Sequence, residues 1–280
     1  MGDVVIRIQG GIGNQMFQYA IGKELEYLGQ NVKYDFESYK RGYDPFEYEL
    51  KDTFGLVLPE ASFKEVKKAQ GGGWLERTIR KYINKQILYE EKNEIVIQPR
   101  EVITKGYLNG YWQSEDFFMD VSEELKKDFD YQKKIHNRDV LKEIVGGRET
   151  VAIHIRLGDY KNHKEEFENI CDVSYYKNAI SIMLESLDNP VFYLFSDEPD
   201  VAREKIGYDC VTVNSDSSTE DLFLMSQCKH NIIANSTYSW WASWLNSNPQ
   251  KIVIAPKMWN NLWSNERQKL ILSRKDFYLI

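Results

Sequence analysis

A histidine and an arginine stand two residues apart at the end of a short β-branched, apolar segment, residues 151–155. Residues at this spacing on a strand point to one face of the sheet, so His154 and Arg156 are expected to share a face. They fall at the carboxyl end of the predicted strand, where open α/β sheets bind ligands. The planar guanidinium of Arg156 suits a diphosphate, and Asp159 could orient either side chain. The structural alternative is an Arg–Asp surface pair beside a core histidine.

A second polar group falls where another predicted strand ends and a helix starts. Asn235, Ser236 and Thr237 are good helix N-caps, which is their structural interpretation. Their hydroxyls and the free backbone N–H groups of a helix N-terminus would also bind an anion. Ser196 and Asp197 end a further strand of the same series and are expected to line the same edge.

A glycine-rich turn near the N-terminus is the third candidate. Residues 10–15 read Gly-Gly-Ile-Gly-Asn-Gln between a predicted strand, 4–8, and a helix, 16–25. Glycines at Gly11 and Gly13 let the backbone approach a ligand closely, although a plain tight turn explains them equally well. The spacing fits neither GxGxxG nor a P-loop. The side-chain amides of Asn14 and Gln15 favour a site that grips hydroxyls or a phosphate.

The elements around these motifs predict an α/β fold with two Rossmann-like domains. Strand, glycine turn, helix and a second strand at 31–36 open the first domain. From residue 150, strands of about five residues alternate with helices, which is typical of a parallel sheet. The charged stretch 131–149 is the predicted linker, so the domains are expected at 1–147 and 148–280. A capped helix is expected from Ser114 to Phe129, a short amphipathic helix at 74–86, and an irregular insertion at 40–60.

Composition narrows the function classes. The chain has 280 residues with 36 basic and 43 acidic side chains, a net charge of −7. This balance gives no global field for nucleic acid, so an anionic ligand must be held locally. The three cysteines lack metal-site spacing, and Asp128-Phe129-Asp130 matches a DxD metal motif only formally, because it ends a charged helix. No signal peptide or membrane-spanning run is recognised, which predicts a cytoplasmic protein.

Four motifs, in order along the chain, resemble the bacterial α-1,2-fucosyltransferases of glycosyltransferase family 11. They are Gly11-x-Gly13-Asn14-Gln15-Met16-Phe17-Gln18-Tyr19-Ala20, His154-x-Arg156-x-x-Asp159-Tyr160, Phe195-Ser196-Asp197 and Asn235-Ser236-Thr237-Tyr238-Ser239-Trp240-Trp241. The resemblance implies a GT-B-like fold with the donor cleft between the domains, the first mainly on the acceptor side and the second binding GDP-fucose. It implies inverting transfer of L-fucose from GDP-β-L-fucose to the 2-hydroxyl of a galactoside, in surface polysaccharide or O-antigen synthesis, with no metal or other cofactor. A galactose-terminated oligosaccharide or a lipid-linked glycan would be the acceptor, and the latter could bring the protein to the inner membrane surface.

The resemblance also assigns roles to residues. Arg156 corresponds to the arginine that holds the donor β-phosphate, His154 to its partner near the nucleotide, and Asn14 to an amide at the donor–acceptor junction. With Asp159 they are the expected catalytic residues. The expected donor-binding residues are Gly11, Gly13, Asn14, His154, Arg156, Ser196, Asp197, Asp221, Asn235, Ser236, Thr237 and Ser239, with Asp221 at the guanine or ribose. Many relatives carry a second arginine where this chain has Leu157, and Lys161 or Arg7 are candidates to replace that charge.

Three questions stay open from the sequence. The general base could be Asp159, Glu165, Glu166, Glu37 or an oxygen of the donor phosphate. The donor could be another nucleotide sugar, or the protein could bind nucleotide or carbohydrate without catalysis. Acceptor sugars could stack on aromatic side chains of the N-terminal half, the candidates being Tyr39, Tyr43, Phe46, Tyr48, Tyr107, Tyr111 and Trp112.

Overall fold

The computed structural model describes residues 3–71, 88–90, 106–131, 135–136, 138–215 and 217–280, the side chains of 88–90, Asp159 and Lys161 excepted. The chain divides into two compact units, Met1–Asp130 and Tyr131–Ile280. Each unit contains a sheet whose described strands pair in parallel. The predicted α/β class with parallel sheets is therefore confirmed.

The first unit carries a sheet in the order β2-β1-β4-β3. Its strands are β1 (Asp3–Arg7), β2 (Asn31–Asp35), β3 (Leu88–Glu90) and β4 (Gly106–Asn109). Its described helices are α1 (Ile12–Tyr27), α2 (Glu37–Lys40), α3 (Leu50–Phe54), α4 (Phe63–Ala69) and α5 (Ser122–Asp128). The apolar run of β1 is buried, as a strand between two neighbours requires.

Helix α1 packs closely on the sheet because one of its residues has no side chain. A Cβ placed on Gly22 would lie 2.0 Å from the Tyr34 hydroxyl of β2, so only glycine fits there. The chain enters α1 through Gly10, whose φ of 78° belongs to the left-handed region that glycine favours. The glycine-rich turn thus sits at the carboxyl end of β1, as the sequence predicts.

The second unit carries a sheet in the order β10-β9-β8-β5-β6-β7. Its strands are β5 (Thr150–Ile155), β6 (Val191–Ser196), β7 (Val211–Thr212), β8 (His230–Ile232), β9 (Val253–Ala255) and β10 (Phe277–Leu279). Its described helices are α6 (Arg138–Val145), α7 (Lys164–Phe167), α8 (Val173–Ser186), α9 (Pro199–Ile206), α10 (Ser218–Gln227), α11 (Thr237–Leu245) and α12 (Asn265–Ile271). Strand β5 is buried along its whole length, and its apolar side chains join those of α8 and β6 in one core cluster.

Several elements differ from the sequence-based expectations. The stretch 131–149 contains helix α6, which packs on α10, and the contact boundary between the units falls at 130/131 instead of 147/148. Residues 114–129 form two short 3-10 turns before α5, and residues 40–60 include α3. The predicted helix at 74–86 lies outside the described residues. No helix in the described part of the chain is long and apolar enough to span a bilayer.

Candidate active site

The sheet order of the second unit brings three of the sequence motifs to one edge. Strand β5 lies between β8 and β6, and all three run in parallel. The segments that follow them, 156–158, 235–237 and 196–197, therefore lie side by side at the carboxyl ends of adjacent strands. Open α/β sheets bind ligands at this position.

Asp197 organises the loop that follows β5. Its Oδ1 accepts a hydrogen bond from the main-chain N–H of Leu157 at 3.0 Å, and its Oδ2 accepts one from Gly158 at 2.9 Å. The same Oδ2 lies 3.4 Å from Nε of Arg156, a third of whose side chain is exposed. Asp197 thus fixes the loop after β5 and places a negative charge beside the Arg156 guanidinium. The side chain of Asp159 lies outside the described residues.

Gly158 leaves room for the Asp197 carboxylate. A Cβ there would lie 2.9 Å from Oδ2 of Asp197, inside normal van der Waals contact. A larger residue would push the carboxylate away from both the loop and Arg156.

His154 is enclosed by protein. Only 4% of the residue is exposed, and its ring lies 5.4 Å from the ring of Tyr238 in the first turn of α11. Its main-chain carbonyl accepts a hydrogen bond from the Tyr176 hydroxyl. His154 is therefore a buried residue whose ring lies close to the first turn of α11.

The N-terminus of α11 is not capped by a side chain. Ser236 is the N-cap residue with extended backbone angles, yet its hydroxyl makes no capping hydrogen bond. The first turn of Thr237–Leu245 thus keeps N–H groups that the N-cap side chain does not satisfy, the condition for anion binding at a helix N-terminus. Ser239 is fully buried and its hydroxyl donates to the carbonyls of Ala234 and Ser236, so it serves packing.

Asn235 links the loops that follow three strands. Its Nδ2 donates to the carbonyl of Trp259 at 3.0 Å, and its own carbonyl accepts from the Tyr160 hydroxyl at 2.7 Å. The Tyr160 ring stacks on Phe167 at 4.3 Å. The buried Oδ1 of Asn235 has no hydrogen-bond partner among the described residues. Sequence reasoning missed the anchoring roles of Tyr160 and Trp259, although Tyr160 belongs to the quoted motif.

Asp221 lies in the first turn of α10, and the Tyr238 hydroxyl of α11 donates to the Ser218 carbonyl where α10 begins. Burial raises the pKa of Asp221 to about 6, against the lowering effect of a 2.7 Å hydrogen bond from the Ser215 hydroxyl. Its carboxyl group is therefore partly protonated just below neutral pH. This carboxyl group can accept a hydrogen bond from a nucleotide and, when protonated, can also donate one.

The glycine turn of the first unit is fixed by hydrogen bonds to the main-chain N–H and carbonyl of Gly10. The Gly10 N–H donates to Asp44 at 2.8 Å, and its carbonyl accepts from Tyr39 and Gln15. Gln15 is fully buried and also bonds the main chain of Glu47 and Glu49. Its amide thus fixes a loop and is not available to a ligand, contrary to the sequence-based expectation.

Asn14, Gly11 and Gly13 open helix α1 beside this turn. Asn14 is half-buried, and its Oδ1 accepts a 2.7 Å hydrogen bond from Gln113. Gly11 is the N-cap residue, and a Cβ on it would lie 3.4 Å from the ring of Phe46, which is 43% exposed. Gly13 is buried in the first turn.

Several candidates for a second positive charge and for the general base make contacts with other parts of the protein. Leu157 packs against the apolar core of the second unit, and Arg7 donates to Asn109 in the first, while the Lys161 side chain lies outside the described residues. Among the proposed bases, Glu166 bonds His163 and Asn260, Glu37 bonds Arg41, and Glu165 is exposed.

Asp128 of the formal DxD motif accepts a hydrogen bond from the Tyr19 hydroxyl. Within the described ranges, no group of three His, Cys, Asp or Glu residues could hold a metal ion.

Residues 81–276 match the sequence model of the family described as "Glycosyl transferase family 11". The chain belongs to glycosyl transferase family 11. This range includes the second unit's motifs, and the glycine turn at 10–15 precedes it. The predicted family and the enzyme class, a glycosyltransferase, are thereby confirmed.

Individual proteins agree with this assignment. An alpha-1,2-colitosyltransferase from Escherichia coli is 29% identical over 92% of this chain and 93% of its own length. The O-antigen biosynthesis glycosyltransferase WbnK of Escherichia coli is 38% identical, over 44% of this chain and 42% of that protein. The crystal structure of NodZ, an alpha-1,6-fucosyltransferase soaked with GDP-fucose, matches 89% of this chain and 97% of its own with a TM-score of 0.51 at 18% identity. At that identity the likeness concerns the fold, and it confirms the GT-B-like class.

Proposed function

We propose that this chain transfers L-fucose from GDP-β-L-fucose to the 2-hydroxyl of a galactoside and inverts the anomeric centre to give an α-1,2 linkage. The observation that carries the proposal is the pairing of Arg156 with Asp197 at the sheet edge next to the uncapped N-terminus of α11. A fixed planar cation beside a helix N-terminus that lacks a side-chain cap suits a diphosphate. The 1,2 linkage in the name of the colitosyltransferase supports the proposed regiochemistry.

The proposed reaction needs charge stabilisation more than covalent chemistry from the protein. The acceptor oxygen attacks C1 of the donor sugar from the face opposite GDP, through an oxocarbenium-like state, and the C1–O bond to the β-phosphate breaks. Negative charge then grows on the departing diphosphate, and preorganised donors stabilise it more in the transition state than in the ground state. Arg156 and the first turn of α11 would supply these donors, so the proposal includes no metal ion. The acceptor's proton leaves to a base or to a donor phosphate oxygen.

Colitosyl transfer is the second candidate, because a colitosyltransferase aligns with almost the whole chain. Colitose is fucose without the 3-hydroxyl, so the two GDP-linked donors differ by one polar group. A site that hydrogen-bonds this hydroxyl discriminates against the deoxy sugar by about 10⁴-fold or more. A site that leaves no room for the hydroxyl favours colitose.

Purified protein is incubated with GDP-fucose or GDP-colitose and with a panel of galactose-terminated oligosaccharides and lipid-linked glycans. The proposal expects a fucosylated product, with the linkage at the galactose 2-position by NMR, and inhibition by GDP but not by UDP or ADP. Faster turnover of GDP-colitose replaces the fucosyl proposal with the second candidate. Inhibition by UDP or ADP instead indicates another nucleotide sugar. Absence of product with every donor and acceptor contradicts both candidates.

A further inference from the structure

Two side-chain amides connect neighbouring loops at the carboxyl edge of the sheet in the first unit. Nε2 of Gln113, after β4, donates to Oδ1 of Asn14, after β1, at 2.7 Å. The two strands are adjacent in the sheet. Gln18 ties the same loops, since it accepts from the N–H of Gln9 and donates to the carbonyl of Gly110. The loop that carries Gln113 is therefore fixed relative to α1.

The residue before Gln113 has an unusual backbone conformation. Trp112 has a φ of 56°, in the left-handed region that bulky residues avoid, and it is 1% exposed. Its ring lies edge-on to Phe117 at 5.9 Å. Conformations of this kind persist where the surroundings determine them, and they cluster at functional sites. Here the buried ring holds Gln113 in its place.

The hydrogen bond from Gln113 decides which atom Asn14 presents. With Oδ1 occupied by this bond, Nδ2 is the remaining polar atom of the half-buried Asn14 side chain. A Cβ on Gly10 would lie 2.8 Å from this Nδ2, so the glycine makes room for it. Oε1 of Gln113 is buried without a partner in the described part of the chain. Flipping both amides would instead bury an unpaired N–H, which proteins tolerate less well than an unpaired carbonyl.

An exposed aromatic ring lies against the glycine turn that leads into Asn14, and it indicates what the amide could meet. Phe46 rests against Gly11, and its loop is held by Asp44, which bonds the N–H groups of Gly10 and Phe46. An apolar ring next to one oriented polar group is the usual composition of a small-molecule site. A sugar offers both an apolar face and hydroxyl oxygens, which matches this pair.

We propose that Gln113 is a positioning residue that orients Asn14 so that its Nδ2 donates a hydrogen bond to an oxygen of the acceptor glycan, whose sugar ring packs on Phe46. The proposal rests on the proposed transferase function for the identity of the glycan. It assigns Asn14 to acceptor binding and gives Gln113 no contact with substrate. Gln113 thus matters only while Asn14 is present.

The test uses the full chain loaded with GDP on an array of galactose-terminated and other bacterial-type oligosaccharides. The dissociation constant for the glycan retained by the wild type is then measured for Gln113→Leu, Asn14→Asp, Asn14→Ala and the double variant Gln113→Leu/Asn14→Ala. Asn14→Asp can still accept from Gln113 but has lost the Nδ2 donor. Gln30→Leu is the matched control, because Oε1 of Gln30 is also buried without a partner among the described residues of this unit.

Gln113→Leu and Asn14→Asp are each expected to weaken glycan binding about tenfold, the scale of one lost hydrogen bond. The glycan dissociation constant of Gln30→Leu should stay within about twofold of the wild-type value. The GDP dissociation constants of the variants should also stay within about twofold of the wild-type value. In the Asn14→Ala background, Gln113→Leu should cost nothing further, since residues that act as one unit are not additive. A full extra loss in the double variant, or wild-type binding by Gln113→Leu, overturns the proposal, as does a wild type that retains no glycan. Glycan binding without transfer from either GDP-sugar contradicts only the proposed function.

Discussion

Arg156 is positioned by Asp197, the residue that follows the neighbouring strand β6. Asp197 contacts Nε of Arg156 and also accepts the N–H groups of Leu157 and Gly158, so one carboxylate fixes both the cation and the loop that carries it. The charge of Arg156 is partly balanced before any ligand binds. Its contribution to the proposed reaction is therefore a fixed position as well as a charge.

Replacing Arg156 by alanine is expected to lower kcat/KM for sugar transfer by about 10²-fold or more, the usual loss of one preorganised donor. Arg156→Lys should recover only part of this loss, because an ammonium group cannot reproduce the planar fork. Steady-state kinetics with varied donor measure both effects. Arg203→Ala, on the exposed part of α9, is the control. Near-normal turnover of Arg156→Ala would falsify the assignment.

Asp221 should make the stability of the protein depend on pH. Its pKa of about 6 in the folded state lies above the ordinary value of 3.8, so the folded state binds the proton more tightly. Stability from this group is therefore fully present below about pH 4 and is lost as the pH rises to about 6. Asp221→Asn, which keeps an oxygen for Ser215, is expected to stabilise the fold at pH 7.5 by at most about 3 kcal/mol.

At pH 4.5 the same substitution should change stability much less, because the wild-type carboxyl group is then mostly protonated. Urea unfolding at the two pH values measures the difference. An equal change at both would show that burial of the charge is not the cause. If Asp221 also contacts the nucleotide, the stabilised variant binds GDP more weakly, a common cost at functional sites.

The segment 156–168 is anchored to the rest of the second unit at two points in its first half. Asp197 holds its beginning, and the Tyr160 hydroxyl bonds the carbonyl of Asn235 while its ring stacks on Phe167. This arrangement couples the segment that carries Arg156 to the segment that precedes α11. The two proposed phosphate-binding groups are thereby held together.

Tyr160→Phe removes this hydrogen bond but keeps the stacked ring. We expect a loss of about 1 kcal/mol in unfolding free energy and a KM for the GDP-sugar that rises several-fold. Tyr107→Phe is the matched control, because it removes a 2.6 Å bond from a tyrosine to Asp35 in the first unit. It should lower stability comparably and leave the donor KM unchanged. An unchanged donor KM in Tyr160→Phe would mean that the loop needs no such anchor.

Local sequence patterns predicted most strands and helices. Features that depend on contacts between distant parts of the chain could not be predicted from such patterns. The strand and helix alternation after residue 150 and the glycine turn are local, so their periodicity located them within a few residues. The sequence predicted a linker where helix α6 lies, because the helix is rich in charged residues and buries only Ile144. Contacts with α10 stabilise it. Similarly, the structural use of Gln15 depends on a loop about 30 residues away, which no local pattern indicates.

The proposed chemistry predicts that chelators leave the activity unchanged. Within the described ranges, no cluster of metal-ligating side chains is present, and Asp128 of the DxD motif is engaged by Tyr19. If Arg156 and α11 stabilise the diphosphate, EDTA should leave kcat/KM within about twofold of the untreated value. Loss of turnover in EDTA that Mg²⁺ or Mn²⁺ restores would contradict the metal-free proposal.

The proposed donor site lies in the second unit and the proposed acceptor contact lies in the first. Hydrogen exchange on the intact chain can test this assignment. Binding of GDP to the second unit should lower the population of locally open states there, and exchange reports such openings segment by segment. We expect GDP to slow exchange in peptides that cover 156–160, 196–198 and 235–240, and to leave 44–49 unchanged. Adding the acceptor glycan to the GDP-loaded protein should then slow exchange at 44–49, where Phe46 lies. Protection of 44–49 by GDP alone, with none at 235–240, would assign the nucleotide to the first unit and reverse the proposed roles.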